Sequence, residues 1–497
     1  MGANIADLVT QSADRTPNKP ALICADRTVA WSELERLVRA VAGGLAARGL
    51  GKGDRVAMMI GNTPEFVSTY FGVLRAGMVA VPINTGYTAY EVSYLVEQSG
   101  AALFICDADS EQVAIDSAGP VPLVRVGSDA WRAFTVGSTP PPRVEVGAED
   151  LALLMFTSGT SGRPKGAMIT HRALMANLEQ LAALQDPAAT LPDDIVMIIL
   201  PLFHAYALNS ALGMVAYTGA TAILSERFDP LASLRSIHVH RATVVVTAPP
   251  VYAAWSETRR AGEALTSVRL LISGAAPLAR SVFAAFVERI GQPVWEGYGM
   301  TEASPVITST LVSGEPLPGS VGKPLPGVEL ELRDAQGEPV DDGDPGEVIV
   351  RGENLFSGYW PDGHDGPGPD GWWATSDVGI LDEGGNLRLV DRRNDLIIIS
   401  GFNVYPREVE EALMTLPGIV EAAVMGIPDP VTGESVKALV VASDDTLDAE
   451  AVIEFARTRL ARFKCPTVVE FVDELPHSGT GKISKGALRE RIAGVRE

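Results

Sequence analysis

The sequence predicts an α/β protein with two parts. A large N-terminal domain of several subdomains is built on mostly parallel, helix-covered sheets with one small β subdomain, and a smaller α+β domain follows it. Three observations carry this. Strand and helix signals alternate through the first part of the chain, the texture changes to short runs with Gly, Pro and Asp turns around 321–351, and a last mixed unit begins near Asp395. At 497 residues the chain exceeds what one core holds. Alternating β and α segments imply parallel strands joined by crossover helices.

Ser32-x-x-Glu35 has the form of a capping box, ahead of Leu34, Val38, Val41 and Leu45 at helical spacing, with Gly49 as the stop. A strand over 56–60, a helix over 64–76 ended by Gly77 and a strand over 79–81 come next. A helix over 89–98 stops at Gly100, before a strand over 101–106. Beyond Leu151 further strands are expected at 195–200, 243–247 and 270–272. His238 and His240 alternate on an apparent strand; no third ligand accompanies them, so they read as structural rather than as a metal pair. Short runs at 328–332 and 347–350 form the β subdomain, about 321–393, with 361–371 as a Pro/Gly/Asp loop. The final unit has a helix over 407–414, strands at 422–425 and 438–441, and a helix over 449–459. Pro140-Pro141-Pro142 reads as a stiff surface connection.

Composition, with 46% hydrophobic and 21% charged residues, is that of a soluble globular protein. The net charge of −22 argues against a nucleic-acid partner and against an electrostatic membrane footprint. A polyanionic ligand must therefore meet local cations, and 457–497 has that bias, with nine Lys/Arg against five Asp/Glu. Cys24, Cys106 and Cys465 are widely spaced, which gives neither a disulfide framework nor a zinc site. No signal peptide is recognised, Ala6 stands where myristoylation needs Ser or Thr, and runs such as 195–203 are too short for a membrane span. A cytoplasmic location is expected.

The strongest chemical signal is Thr157-Ser158-Gly159-Thr160-Ser161-Gly162-Arg163-Pro164-Lys165-Gly166, directly after an apolar run. Glycines let backbone approach phosphate oxygens, hydroxyls donate hydrogen bonds, and the lysine supplies charge. The spacing is not that of a Walker A loop, which needs its lysine after the last glycine at a helix start. Three motifs follow in order: Glu296-Gly297-Tyr298-Gly299-Met300-Thr301-Glu302, the segment from Trp373 through Asp377 to Asp391-Arg392, and Gly479-Thr480-Gly481-Lys482.

Together these motifs resemble the adenylate-forming superfamily of acyl-CoA and aryl-CoA synthetases, peptide-synthetase adenylation domains and beetle luciferases, over nearly the whole chain. The resemblance implies an enzyme that uses ATP, Mg²⁺ and coenzyme A. The loop from Thr157 through Ser158, Gly159, Thr160, Ser161 and Gly162 to Lys165 would hold the phosphates. Gly274, Ala275 and Ala276 would line the adenine pocket with Glu296, Gly297, Tyr298 and Gly299. Thr301 would meet the α-phosphate, and Glu302, with Thr157, would hold Mg²⁺. Asp377 would accept both ribose hydroxyls, although Ser376 stands where the family usually has Gly. Arg392 would meet the ribose or a phosphate, and Asn403 belongs with the nucleotide set. Lys482 would stabilise the charge that builds up during adenylation. A C-terminal domain over 394–497 would then rotate about Asn394 against a 1–393 domain, bringing Ser400 and Gly401 to the pantetheine chain. Asn394 departs from the Asp or Lys usual at that hinge.

The acid pocket would involve His204, Ala205, Tyr206, Ser210, Ala275 and Gly297. His204 stands where amino-acid adenylating domains place Asp, which favours a simple carboxylic acid and adds His204 to the catalytic set. The run 203–210 looks like 4-coumarate:CoA ligases, with Ala205 widening the pocket, whereas 397–403 resembles bacterial fatty acyl-CoA synthetases. An aryl-propenoic acid and a fatty acid both stay open. So do loading of a carrier-protein thiol, a luciferase-like use of the adenylate and a non-catalytic nucleotide-binding homologue. A serine hydrolase is disfavoured because no G-x-S-x-G is present. Small-molecule partners are expected, with homodimerisation left open.

Overall fold

Two parallel sheets dominate the first part of the chain. In a computed structural model, nine strands run in the spatial order Lys323–Pro324, Val306–Ser309, Trp295–Gly299, Leu270–Ser273, Val244–Thr247, Ile195–Ile198, Thr221–Leu224, Pro20–Cys24 and Arg27–Ala30. The six from Trp295–Gly299 to Pro20–Cys24 are parallel, and both ends turn antiparallel. A six-stranded sheet runs Leu123–Arg125, Leu103–Cys106, Arg55–Met59, Val79–Pro82, Leu151–Ser158 and Pro164–Thr170, parallel except for its last pair. These strands are apolar on both faces, as expected for sheets covered by helices. The structure describes residues 4–135, 144–158, 164–341, 343–392, 395–399, 402–429, 432–443, 447–460, 462–477, 482–485, 487 and 488.

Local chemistry sets the helix ends. The Thr63 side chain accepts the Phe66 N–H ahead of Pro64–Arg75, whose first position is proline and whose last turn carries Arg75. Ahead of Ala89–Ser99, Thr88 and Glu91 form a reciprocal capping box, and Gly100 closes the helix at φ 58°. Ser32 and Glu35 form no such box. The helix begins at Trp31, its N-cap Ala30 makes no side-chain hydrogen bond, and Glu35 points into the protein, where Arg75 meets it at 2.9 Å. His238 and His240 are also corrected: they end the helix Pro230–His240. Two positions apart on a helix they point about 200° away from each other, so they cannot share a metal ion.

The chain divides into two compact units, Met1–Glu329 with Arg351–Trp373, and Leu330–Val350 with Ala374–Glu497. A core of the first packs Trp255, Tyr252 and Phe286 edge to face beneath Met197, Val245 and Leu271. In the second unit lies a four-stranded sheet in the order Glu329–Arg333, Gly346–Arg351, Trp373–Leu381, Leu387–Arg392. A five-stranded sheet there has Gly433–Ala442 as its central strand, which pairs with Ile419–Asp429 along its length and with Ile397–Ile399 and Val468–Phe471. Helices Pro406–Leu413 and Ala449–Arg459 cover it through Val409, Leu413, Val452 and Ala456.

Candidate active site

Strands Leu151–Ser158 and Pro164–Thr170 pair antiparallel with Thr157 opposite Lys165, which sets both residues at the mouth of the loop between them. Gly159 to Gly162 lie outside the described residues, as do Asn394, Ser400 and Gly401 and the side chains of Ser158, Arg392 and Asn403. Residues 357–360 are stitched onto the second strand. Ser357 donates its N–H to Met168 O at 2.9 Å, Met168 to Gly358 O at 3.0 Å, and Trp360 to Gly166 O at 2.8 Å. Lys165 Nζ lies 3.0 Å from Asp365 Oδ2 and 5.1 Å above the Tyr359 ring. The hydrogen bond and charge of Lys165 hold the Asp365 carboxyl below its ordinary range.

Glu302 sits in the turn Thr301–Ala303, just past the strand Trp295–Gly299. Its carboxylate is buried and accepts two hydroxyls at the same oxygen, Oε1: Tyr359 Oη at 2.8 Å and Thr157 Oγ1 at 3.3 Å. No described residue donates to Oε2. Burial, followed by the charge of Glu302, raises the Tyr359 pKa, so the phenol stays a donor. Buried amides fix the turn from behind. Asn209 donates to Ser304 O at 2.7 Å, Asn354 to Ala303 O at 2.8 Å and Asn177 to Val306 O at 2.9 Å. Gly299 packs so tightly that a Cβ there would meet Pro305 O at 2.0 Å. Thr157 and Glu302 are thus brought together and offer only oxygen, the donor set a Mg²⁺ ion accepts. No group of three or more His, Cys, Asp or Glu gathers for a metal among the described residues.

The segment that follows His204 forms a π-helix, Tyr206–Gly213, a rare geometry that frequently occurs at functional sites. His204 stacks at a tilt on Phe203, and Ala205 is buried. The Tyr206 ring lies against the α-carbon of Gly274, where a Cβ would come within 2.7 Å of it. Gly274 follows Ser273, which pairs with Thr247, and Tyr252 lies close enough to interact with Tyr206. The hydroxyls of Tyr206, Ser210, Thr247, Tyr252 and Ser273 are all buried without a hydrogen-bond partner among the described residues. Each such group forgoes about 1–3 kcal/mol of lost hydration. Ala275 adopts a left-handed backbone at φ 67°. Glu296 and Tyr298 are buried on the neighbouring strand, where Gly297 faces Thr308 O and Leu278 N–H points at Glu296 Oε2 at 3.4 Å.

In the second unit, Asp377 lies opposite Arg392 in an antiparallel pair. Its N–H donates to Thr375 Oγ1 at 3.1 Å, and that hydroxyl donates to Val348 O at 2.9 Å. Ser376, between them, has φ 63°. A left-handed residue with a Cβ costs about 1–2 kcal/mol, which is the physical reason for glycine there. Ser376→Gly should therefore raise stability by about 0.5–1 kcal/mol after the added entropy of the unfolded chain. A melting temperature equal to or below that of the parent would contradict this account of the strain. Lys482 is exposed, beside a bridge between His477 and Ile483. That bridge is anchored by His477 to Glu421 at 3.0 Å, Lys485 to Glu410 at 3.0 Å, and Leu475 and Leu488 packed on Ala423 and Leu439.

Sequence reasoning missed Tyr359, Asp365 and the amide network. The only trace of Tyr359 in the sequence is an aromatic pair, Tyr359-Trp360, opening a loop otherwise rich in Gly, Pro and Asp.

Residues 9–360 match the family model of the AMP-binding enzymes, and residues 408–482 match the AMP-binding enzyme C-terminal domain. A feruloyl-CoA synthase from an Amycolatopsis species is 38% identical, covering 97% of both chains. A long-chain-fatty-acid–CoA ligase of Bacillus subtilis is 33% identical over 98% of this chain and 94% of its own. The crystal structure of ATP-bound MatB from Rhodopseudomonas palustris superposes with a TM-score of 0.93 at 33% identity, covering 100% of both chains. A fatty acyl CoA synthetase of Mycobacterium tuberculosis does so with a TM-score of 0.78 at 30% identity, covering 99% of each. No helix among the described residues is long and apolar enough to cross a membrane. The chain belongs to the AMP-binding enzyme family, as an ATP-dependent ligase of the acid–CoA class.

Proposed function

We propose that the protein joins an apolar acid without an α-amino group to coenzyme A, and that an aryl-propenoic acid with a polar ring substituent is the better of the two substrate types the pocket suggests. The observation that carries this is the set of buried, unpartnered hydroxyls around Tyr206 and Ser210. A phenol or methoxy group would recover their hydrogen bonds, whereas an alkyl chain would not. Fatty acids remain the second reading, favoured by the fatty-acid ligases among the relatives.

The acid's carboxylate oxygen attacks the α-phosphorus of ATP and pyrophosphate leaves. The CoA sulfur then attacks the acyl carbon, losing its proton, and AMP leaves. Lys165 and the backbone of the phosphate loop bind the polyphosphate, Thr301 meets the α-phosphate, and Asp377 and Arg392 hold the ribose. Glu302 and Thr157 would hold Mg²⁺, which when bound neutralises charge on the pyrophosphate. Lys482 stabilises the adenylation transition state. Rotation of 394–497 about Asn394 then exchanges it for the Gly401 region and admits the thiol. Three buried, free cysteines suit a reducing cytoplasm.

AMP release across hydroxylated and unsubstituted aryl-propenoic acids and graded fatty acids, with and without CoA, tests the reading. Tyr206→Phe and Ser210→Ala should lower kcat/KM for ring-hydroxylated acids by roughly 10-fold or more and leave fatty acids nearly unchanged. Equal losses across the panel would remove these hydroxyls from substrate recognition. Release of AMP that ignores CoA would point instead to another acceptor thiol.

A further inference from the structure

The geometry points to Tyr359 as a positioning residue that links the carboxylate of Glu302 to the phosphate-loop cation Lys165. One side chain serves both groups: its hydroxyl holds Glu302 Oε1 at 2.8 Å, and its ring lies 5.1 Å beneath Lys165 Nζ. With Thr157 on the same oxygen, the carboxylate is fixed so that Oε2 is the atom left to face a cation. The Tyr359 ring is itself held. Phe356 packs edge-on against it at 5.0 Å, and Tyr359 bridges antiparallel to Ala167. Phe356 N–H also donates to Glu302 O at 2.8 Å, so the same short segment grips both the backbone and the side chain of Glu302. Lys165 also pairs with Asp365 at 3.0 Å, which keeps the ammonium over the ring. A free carboxylate would sample several rotamers; two donors on one oxygen select one of them.

The inference rests on Glu302 facing the divalent cation, and the test separates the two claims. Mn²⁺ can replace Mg²⁺ as a spectroscopic probe, so binding of Mn²⁺ with ATP to the full chain can be titrated by electron paramagnetic resonance, independently of turnover. Tyr359→Phe should weaken Mn²⁺ about 5- to 20-fold, the loss of one charge-assisted hydrogen bond, and raise the Mg²⁺ concentration for half-maximal adenylation. KM for ATP at saturating Mg²⁺ should stay near the parent value, because the ring under Lys165 remains. Tyr359→Leu removes hydroxyl and ring and should raise KM for ATP as well. Glu302→Gln must weaken Mn²⁺ at least as much as Tyr359→Phe does. If Glu302→Gln weakens the metal and Tyr359→Phe does not, the positioning role of Tyr359 is overturned while the metal reading stands. If neither does, Glu302 is not on the cation and both fall. Equal effects of Tyr359→Phe on kcat, KM for ATP and Mn²⁺ binding would mark a merely structural residue.

Discussion

Lys482→Ala should slow acyl-adenylate formation by roughly 10²-fold or more while leaving the protein folded. One preorganised cation aimed at developing phosphoryl charge contributes about that much, and the factor corresponds to about 2.7 kcal/mol of barrier. The side chain is well placed for loss without collapse. It is exposed, and Leu475, Leu488, Ala423 and Leu439 pack together in the fold around it. Thioester formation from pre-made acyl-AMP should fall far less, since the proposed thiol step uses the Gly401 region in its place. The two half-reactions are measured separately, by pyrophosphate exchange and by CoA consumption. Equal losses in both would contradict the exchange of Lys482 for the thiol. A loss in neither would remove Lys482 from the reaction.

The α/β alternation was legible because apolar runs between glycines are set by burial, and burial decides strands and helices in sheets covered on both faces. Gly77 and Gly100 end their helices at φ 71° and 58° as their lack of a Cβ suggests. The pairing of Thr157 with Glu302 was readable only as a resemblance, since 145 positions separate them and only the sheet topology joins them. The role of Tyr359 was not readable from the aromatic pair Tyr359-Trp360 alone. Its role depends on a segment crossing from residues 357–360 onto the strand Pro164–Thr170, and nothing in local periodicity encodes such a long-range stitch. Ser376 shows the reverse: a departure from the family pattern, visible in the sequence, acquires its physical meaning from one dihedral angle. His238 and His240 were misassigned because two-residue alternation over so short a run fits a strand and a helix end equally well.

Glu35 gives the largest expected effect on stability, and it is the residue whose sequence context misled most. Rather than capping its own helix, it sits with its side chain 10% exposed, paired with Arg75 at 14%, a bidentate contact of 2.9 and 3.0 Å. Arg39 adds a hydrogen bond at 2.7 Å from the more exposed side. Arg75 also donates to Ala6 O and Thr10 Oγ1, each at 2.8 Å, so one guanidinium ties together the N-terminal segment and the helices Trp31–Ala47 and Pro64–Arg75. Removing one member strands the other charge in the interior. Arg75→Met should therefore cost about 3–5 kcal/mol, and Arg75→Met combined with Glu35→Leu clearly less, because the buried charge then goes with its partner. Burial alone would raise the Glu35 carboxyl, but the hydrogen bonds and charge of Arg75 and Arg39 outweigh it and hold the carboxyl below its ordinary range. A lowered folded-state pKa stabilises fully above the unfolded value, about 4.3, and that contribution is lost as pH falls through the folded value. The stability gap between the parent and Glu35→Gln should accordingly narrow below about pH 4. Urea unfolding across pH 3 to 7, followed by tryptophan fluorescence, measures both effects. A cost below about 1 kcal/mol for Arg75→Met would reduce the pair to a surface contact. A gap that widened in acid would reverse the sign of the linkage.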